Sequence, residues 1–156
     1  MHQLTAAPAA PVVPAQPYRM EHPRPVESWA LLISAIVEDP GQLAGLRADL
    51  HAGLAVHGVD PETADELVLV LSELAGNGLR HGHPPLHLVV TLRGDRTRIQ
   101  VTDGGRRPAE LTDVDPLDEG GRGFGIVAAL SDDWGLEHLP GRGTVAWAER
   151  PVRRRG

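Results

Sequence analysis

The chain of 156 residues contains no cysteine, and all fifteen of its basic residues are arginine, so it has no lysine either. The first absence excludes disulfides, zinc–thiolate sites, iron–sulfur clusters and thiol nucleophiles. The second excludes a P-loop lysine and Schiff-base chemistry, so any nucleotide must be held in another way. No run of apolar residues is long enough for a membrane-spanning helix. The first residues, MHQLTAAPAAPVVPAQPYRMEHP, have no basic start and no sustained apolar stretch, so no signal peptide and a cytoplasmic location are expected. The net charge of -6 argues against a nucleic-acid partner bound through its phosphates. The terminal RPVRRRG is locally basic and reads as a solvated, frayed end.

With 41% hydrophobic and 23% charged residues, what remains is an ordinary globular composition at a length that suits one domain. Prolines at 8, 11, 14, 17, 23 and 25 block helix, so residues 1–25 read as a disordered Pro/Ala-rich tail, 26–150 as the domain and 151–156 as a basic tail. ESWALLISA (27–35) reads as a strand ended by EDPG. In 41–57, Leu43, Leu46, Leu50 and Leu54 recur at helical spacing, and Gly58 ends the run. A second helix begins at Asp60-Pro61, with Asp60 as N-cap, and runs to about Arg80, its core stripe being Leu67, Leu71, Leu74 and Gly78. Two strand-like runs flank Gly94-Asp95, a hairpin signal. A polar loop, a short helix over Phe124–Leu130, WGLEHLP, a Gly141–Gly143 turn and TVAWAE follow. The expected fold is therefore α+β, a two-layer α/β sandwich whose mostly antiparallel sheet is covered by helices on one face.

Four short stretches carry chemistry. On the second helix, Glu66, Val70, Glu73, Asn77 and Arg80 fall on one strip beside the leucine stripe. Asn77 offers an amide oxygen suited to a hard cation such as Mg²⁺, and Glu73, one turn earlier, a carboxylate that can deprotonate a hydroxyl. The bland alternative makes both plain surface residues near a glycine-rich helix end. In IQVTDGG, a strand runs into Asp103, whose carboxylate can accept from an exocyclic amine such as that of adenine; the alternative is a simple turn. In DEGGRGFGIVAAL, Gly120, Gly121, Gly123 and Gly125 precede a helix, where backbone N–H groups favour phosphate. This is not a dinucleotide fingerprint, because no parallel strand leads into it. Finally, Thr144 opens the last strand after a glycine turn. His81, His83 and His87 do not share a face, since Pro84-Pro85 forces extended chain between them, and a transition-metal site is not expected.

Taken in order, these segments resemble the ATP-binding fold shared by gyrase, Hsp90, histidine kinases and MutL. SEL-x-x-N-x-x-RHG, then GRGFGIV, then D-x-WG are most similar to the small anti-sigma-factor serine kinases of the RsbW/SpoIIAB type, over about residues 26–150. The resemblance implies ATP and Mg²⁺ as cofactors, Asn77 as the metal-holding residue and Glu73 as general base toward a serine hydroxyl of a protein substrate. It implies Asp103 at the adenine amine with Gly105 beside the ring. Gly121, Arg122, Gly123, Phe124 and Gly125 would cover the phosphates, Arg80 and His81 would line the phosphate side or cap the helix, and Thr144 would reach the adenine. It also implies a homodimer whose partners are a sigma factor and a STAS-type anti-anti-sigma antagonist, with no nucleic acid or membrane involved. One departure bears on catalysis: Glu119 stands where some relatives carry a basic residue, and an acid there repels a γ-phosphate. The functions open at this stage are an anti-sigma serine kinase, a non-catalytic ATP-binding module, a separate catalytic domain acting on a partner's histidine, and a fold without nucleotide.

Overall fold

The computed structural model describes residues 28–104, 122–141 and 143–156, without the side chains of Arg122 and Gly123. The expected tail 1–25 and the polar loop before the short helix, over 105–121, lie outside these residues. The elements are β1 (Trp29–Val37), a 3-10 turn (Pro40–Gln42), α1 (Leu43–Val56), α2 (Pro61–His81), β2 (Leu86–Arg93), β3 (Arg96–Asp103), α3 (Arg122–Leu130), β4 (Asp133–Leu139) and β5 (Gly143–Pro151). Their order is the one expected from the sequence. Several boundaries shift. The first strand extends past Ala35 because Ile36 and Val37 continue its pairing with β2, and Val37 is wholly buried. The helix expected from residue 41 opens instead with a separate 3-10 turn. That turn is closed by a capping box in which Asp39 accepts from the Gly41 N–H and the Gln42 side chain reaches back to the cap backbone.

Five strands form one antiparallel sheet in the order β1-β2-β3-β5-β4. The β2–β3 hairpin turns at Gly94-Asp95, with φ 57° at Gly94, a conformation that glycine adopts without strain. Alternation then sorts the faces. Leu86, Leu88, Val90 and Leu92 of β2, with Ile99 and Val101 of β3, point inward and are buried, as are Ile33 and Val37 of β1 and Ala148 of β5. Against them pack Leu43, Leu50 and Leu54 of α1, Leu67, Val70, Leu71, Leu74 and Ala75 of α2, and Val127 of α3. Each fully buried leucine contributes about 1.5–3 kcal/mol relative to exposure. The helices thus cover one face of the sheet. The opposite face leaves Trp29, Leu31 and Ile36 of edge strand β1 exposed, and carries Arg98 stacked 4.4 Å over the Trp147 ring.

α2 is the central rod. Asp60 caps it by accepting from the Thr63 N–H, and Pro61 occupies its first turn. Its later turns approach β2 and β3 so closely that a Cβ on Gly78 would meet Leu86 Cδ1 at 2.8 Å. The glycine permits that approach and so sets how near the end of the helix comes to the end of β3.

The reading of the C-terminus as frayed is corrected. Val152 is buried and its N–H bonds to Asp95 O, Arg153 O accepts from the Asp60 N–H, and the Arg155 N–H bonds to Gly58 O. Arg154 pairs with Asp95 and also donates to the carbonyls of His57 and Gly94. Charge and proximity to two turns hold this basic segment. Composition alone does not disclose that acceptors wait beside it.

Candidate functional site

The last turns of α2, the end of β3 and the start of β5 meet at one end of the sandwich. Asp103 is the final residue of β3. Alternation turns its side chain toward the helices, and it is 5% exposed. Its Oδ1 accepts from the Thr144 N–H at 3.3 Å, across 41 residues of sequence. Thr144 is itself buried, and its Oγ1 lies 3.4 Å from His138 Nδ1 on the neighbouring strand. Gly82 ends α2 against this carboxylate: a Cβ there would lie 2.7 Å from Asp103 Oδ2 and 2.5 Å from Gly78 O. Gly143, at φ 95°, closes the opposite side. The buried carboxylate thus lies against two glycine backbones, at positions where any side chain would collide with it.

In the turns of α2 that lead to Gly82 stand Glu73 and then Asn77. Asn77 is 6% exposed, more buried than a residue on the border between core and solvent. Its Oδ1 accepts from Arg80 Nη2 at 2.6 Å, and its buried Nδ2 has no hydrogen-bond partner among the described residues. Leaving a buried donor unpaired costs roughly 1–3 kcal/mol, which a ligand can recover. Glu73 is half-buried on the same side, one helical turn away. Arg80 lies back over Gly76, whose added Cβ would meet Arg80 Nη1 at 3.3 Å. His81 is exposed at the helix end.

The structure therefore brings Asp103 and Thr144 together beside the turn of α2 that carries Asn77 and Arg80. Phe124 and Gly125 lie on α3: the Phe124 ring packs 5.8 Å from that of Trp134 and against the core, while Gly125 is exposed. Arg122 and Gly123 are placed only as the first backbone turn of α3, and Gly105 and Gly121 lie outside the described residues. Sequence reasoning missed His138. The signal existed, since a tight turn after Leu139 sets His138 opposite Thr144 in the β4–β5 pairing. Among the described residues, no group of three or more His, Asp or Glu side chains is placed to hold a metal, and no helix is long and apolar enough to cross a membrane.

These residues fit a metal-bearing nucleotide. Asn77 supplies a hard oxygen and a buried N–H that is unpaired among the described residues, on the turns of α2 that lead to the Asp103 carboxylate. Residues 36–149, most of the chain, match the model of the histidine kinase-like ATPase domain. The chain belongs to that family, and ATP is the ligand that membership implies. A crystal structure of the RsbU and RsbW domains of Rv1364c from Mycobacterium tuberculosis is similar, with a TM-score of 0.60 and 21% identity over 78% of this chain. That likeness is one of fold, and this chain corresponds to 32% of the length of that one. No curated protein matches the chain.

Proposed function

We propose that the protein is an ATP-dependent regulator of the RsbW type, a serine kinase that phosphorylates a STAS-type antagonist and sequesters a sigma factor. The observation that carries this reading is the buried Asn77 amide, with its unpaired Nδ2, on the turn of α2 that abuts the Asp103 cradle through Gly82. Asp103 accepts from the adenine amine, and Thr144 shapes the same pocket. Asn77 Oδ1 would hold Mg²⁺, which would neutralise phosphate charge. Glu73 takes the proton of the substrate serine hydroxyl. The serine oxygen forms the new bond to the γ-phosphorus, and the β,γ-bridging oxygen leaves with the bonding pair on ADP. Arg80, Arg122 and the glycines 121, 123 and 125 serve the phosphates, and Gly105 gives room beside the base. A homodimer presents the sigma-binding surface.

A non-catalytic ATP-binding module is the second reading. It is favoured by Glu119, an acid on the approach to the glycine-rich segment.

Calorimetric titration of ATP with and without Mg²⁺, beside Asn77→Ala, tests the site, and phosphate transfer to a STAS-domain protein tests the chemistry. Metal-dependent binding that Asn77→Ala weakens, with transfer that Glu73→Gln abolishes while ATP still binds, is the expected result. Binding without transfer selects the module. No binding in either buffer removes both readings.

A further inference from the structure

Arg80 is exposed and is the penultimate residue of α2, where an arginine ordinarily extends into water. Instead its guanidinium folds back along α2, lies over the bare backbone of Gly76, and donates through Nη2 to Asn77 Oδ1 at 2.6 Å. The acceptor is the oxygen that the proposed reading gives to the metal. Two lone pairs on an amide oxygen allow two partners, so valence does not exclude sharing. Charge does. A divalent ion at about 2.1 Å from that oxygen would stand within roughly 5 Å of the guanidinium, in a part-buried setting where like charges repel strongly.

We propose that Arg80 is a built-in counter-cation at Asn77, which competes with the divalent metal for the same amide oxygen and stands in for it when nucleotide arrives without metal. The inference rests on the nucleotide-binding reading of the site. Gly76 is part of the device, because an added Cβ there would already lie 3.3 Å from Arg80 Nη1, and a longer side chain would compete for the space the guanidinium occupies. Two behaviours follow. The metal must displace a cation already seated, which blunts the gain in affinity that Mg²⁺ brings. Metal-free nucleotide finds a positive charge in place, so its binding is stronger than the bare cradle would give. The chain thereby becomes less sensitive to free Mg²⁺ than a site of the same geometry without the arginine.

The test is a coupling measurement on the full chain. ATP affinity is measured by calorimetry in Mg²⁺ and in EDTA, for the wild type, Arg80→Ala, Arg80→Lys and Gly76→Leu, and the ratio Kd(EDTA)/Kd(Mg²⁺) is taken for each. Competition predicts that Arg80→Ala raises this ratio by about tenfold, within the usual range of site–site coupling. Arg80→Lys, which keeps a cation, falls between, and Gly76→Leu raises the ratio with Arg80 itself untouched. A ratio that stays the same or falls in Arg80→Ala, with wild-type binding intact, overturns the inference and leaves the nucleotide reading standing. Absence of wild-type binding in both buffers overturns that reading and the inference with it. Arg80 and Gly76 are outside the hydrophobic core, and circular dichroism of each variant checks that the fold is retained.

Discussion

Gly143 and Asp103 stand backbone against backbone: a Cβ on Gly143 would lie 1.9 Å from the Asp103 carbonyl oxygen and 2.9 Å from its Oδ1. The φ of 95° at Gly143 is also a region that other residues rarely adopt. Gly143→Ala therefore meets two penalties at once. Backbone strain alone amounts to about 1–3 kcal/mol, and the clash must in addition push β5 away from β3. The expected outcome is a lower melting temperature together with loss of the Thr144 N–H bond to Asp103. A variant that melts like the wild type in a thermal scan would mean that β5 does not approach so closely.

Gly76 and Gly78 sit two residues apart on α2 and should respond to alanine with opposite sign. At Gly76 the nearest atom is the end of a flexible arginine, so the helix-propensity gain of up to about 1 kcal/mol is largely realised. At Gly78 the nearest atoms belong to Leu86, which is wholly buried and cannot give way, and to Val101. Overpacking there costs about 1–3 kcal/mol. Urea denaturation of the two variants side by side is the check, and equal shifts would contradict the packing described.

Acid should destabilise the fold through two carboxylates held below their usual range. The Thr63 hydroxyl bonded to Asp60 lowers that group, with the Thr63 N–H and Arg153 acting in the same direction against some desolvation. The Arg96 guanidinium, bonded to Asp132 by two N–H groups at 2.9 Å, lowers Asp132. A carboxyl that is more acidic when folded adds stability at every pH above its unfolded value. It loses that stability as the pH falls through the folded value. Melting temperature should thus be insensitive to these groups from neutrality down to about pH 5 and decline below about pH 4. Asp60→Asn keeps a capping side chain but should flatten part of that decline. An unchanged acid limb in the variant would show that Asp60 does not contribute.

The Glu66–Arg150 pair bridges α2 and β5, with Arg150 Nη2 2.5 Å from Glu66 Oε2, yet it lacks hydrogen-bond alignment. Among the described residues, the buried Arg150 Nε and Nη1 also have no hydrogen-bond partner. Such a pair is weakly stabilising as a unit and costly to halve. Arg150→Met alone, which leaves a partly buried carboxylate unopposed, should destabilise by about 1–3 kcal/mol, a value reduced for its partial exposure. Combining it with Glu66→Leu should restore stability to wild type or above. A double variant less stable than the single one, in chemical denaturation, would refute this.

Local chemistry made much of the fold legible. Asp60-Pro61 marks a helix start because both residues satisfy or tolerate free N–H groups. Gly94-Asp95 marks a hairpin for its φ. The alternation in LHLVVTLR and RTRIQVTD fixes which side chains turn inward, and that alternation buries Asp103. What was not legible depends on distant contacts. Nothing near residue 144 in the sequence says that β5 inserts between β3 and β4 and so carries Thr144 to Asp103. The anchoring of Arg153 and Arg154 needs the turns at Gly58 and Gly94 to arrive beside them. The fold-back of Arg80 requires a rotamer choice that helical periodicity does not encode.

The placement of Trp134 has an optical consequence. It is one of three tryptophans, and it lies on β4 in ring contact with Phe124 of α3. Trp29 is 69% exposed on the far face, and Trp147 sits under an arginine there. With Trp29 and Trp147 replaced by phenylalanine, the emission of the remaining indole would report the distance and packing between α3 and the sheet. The chain thus carries its own spectroscopic ruler for that helix, readable in solution without any added label.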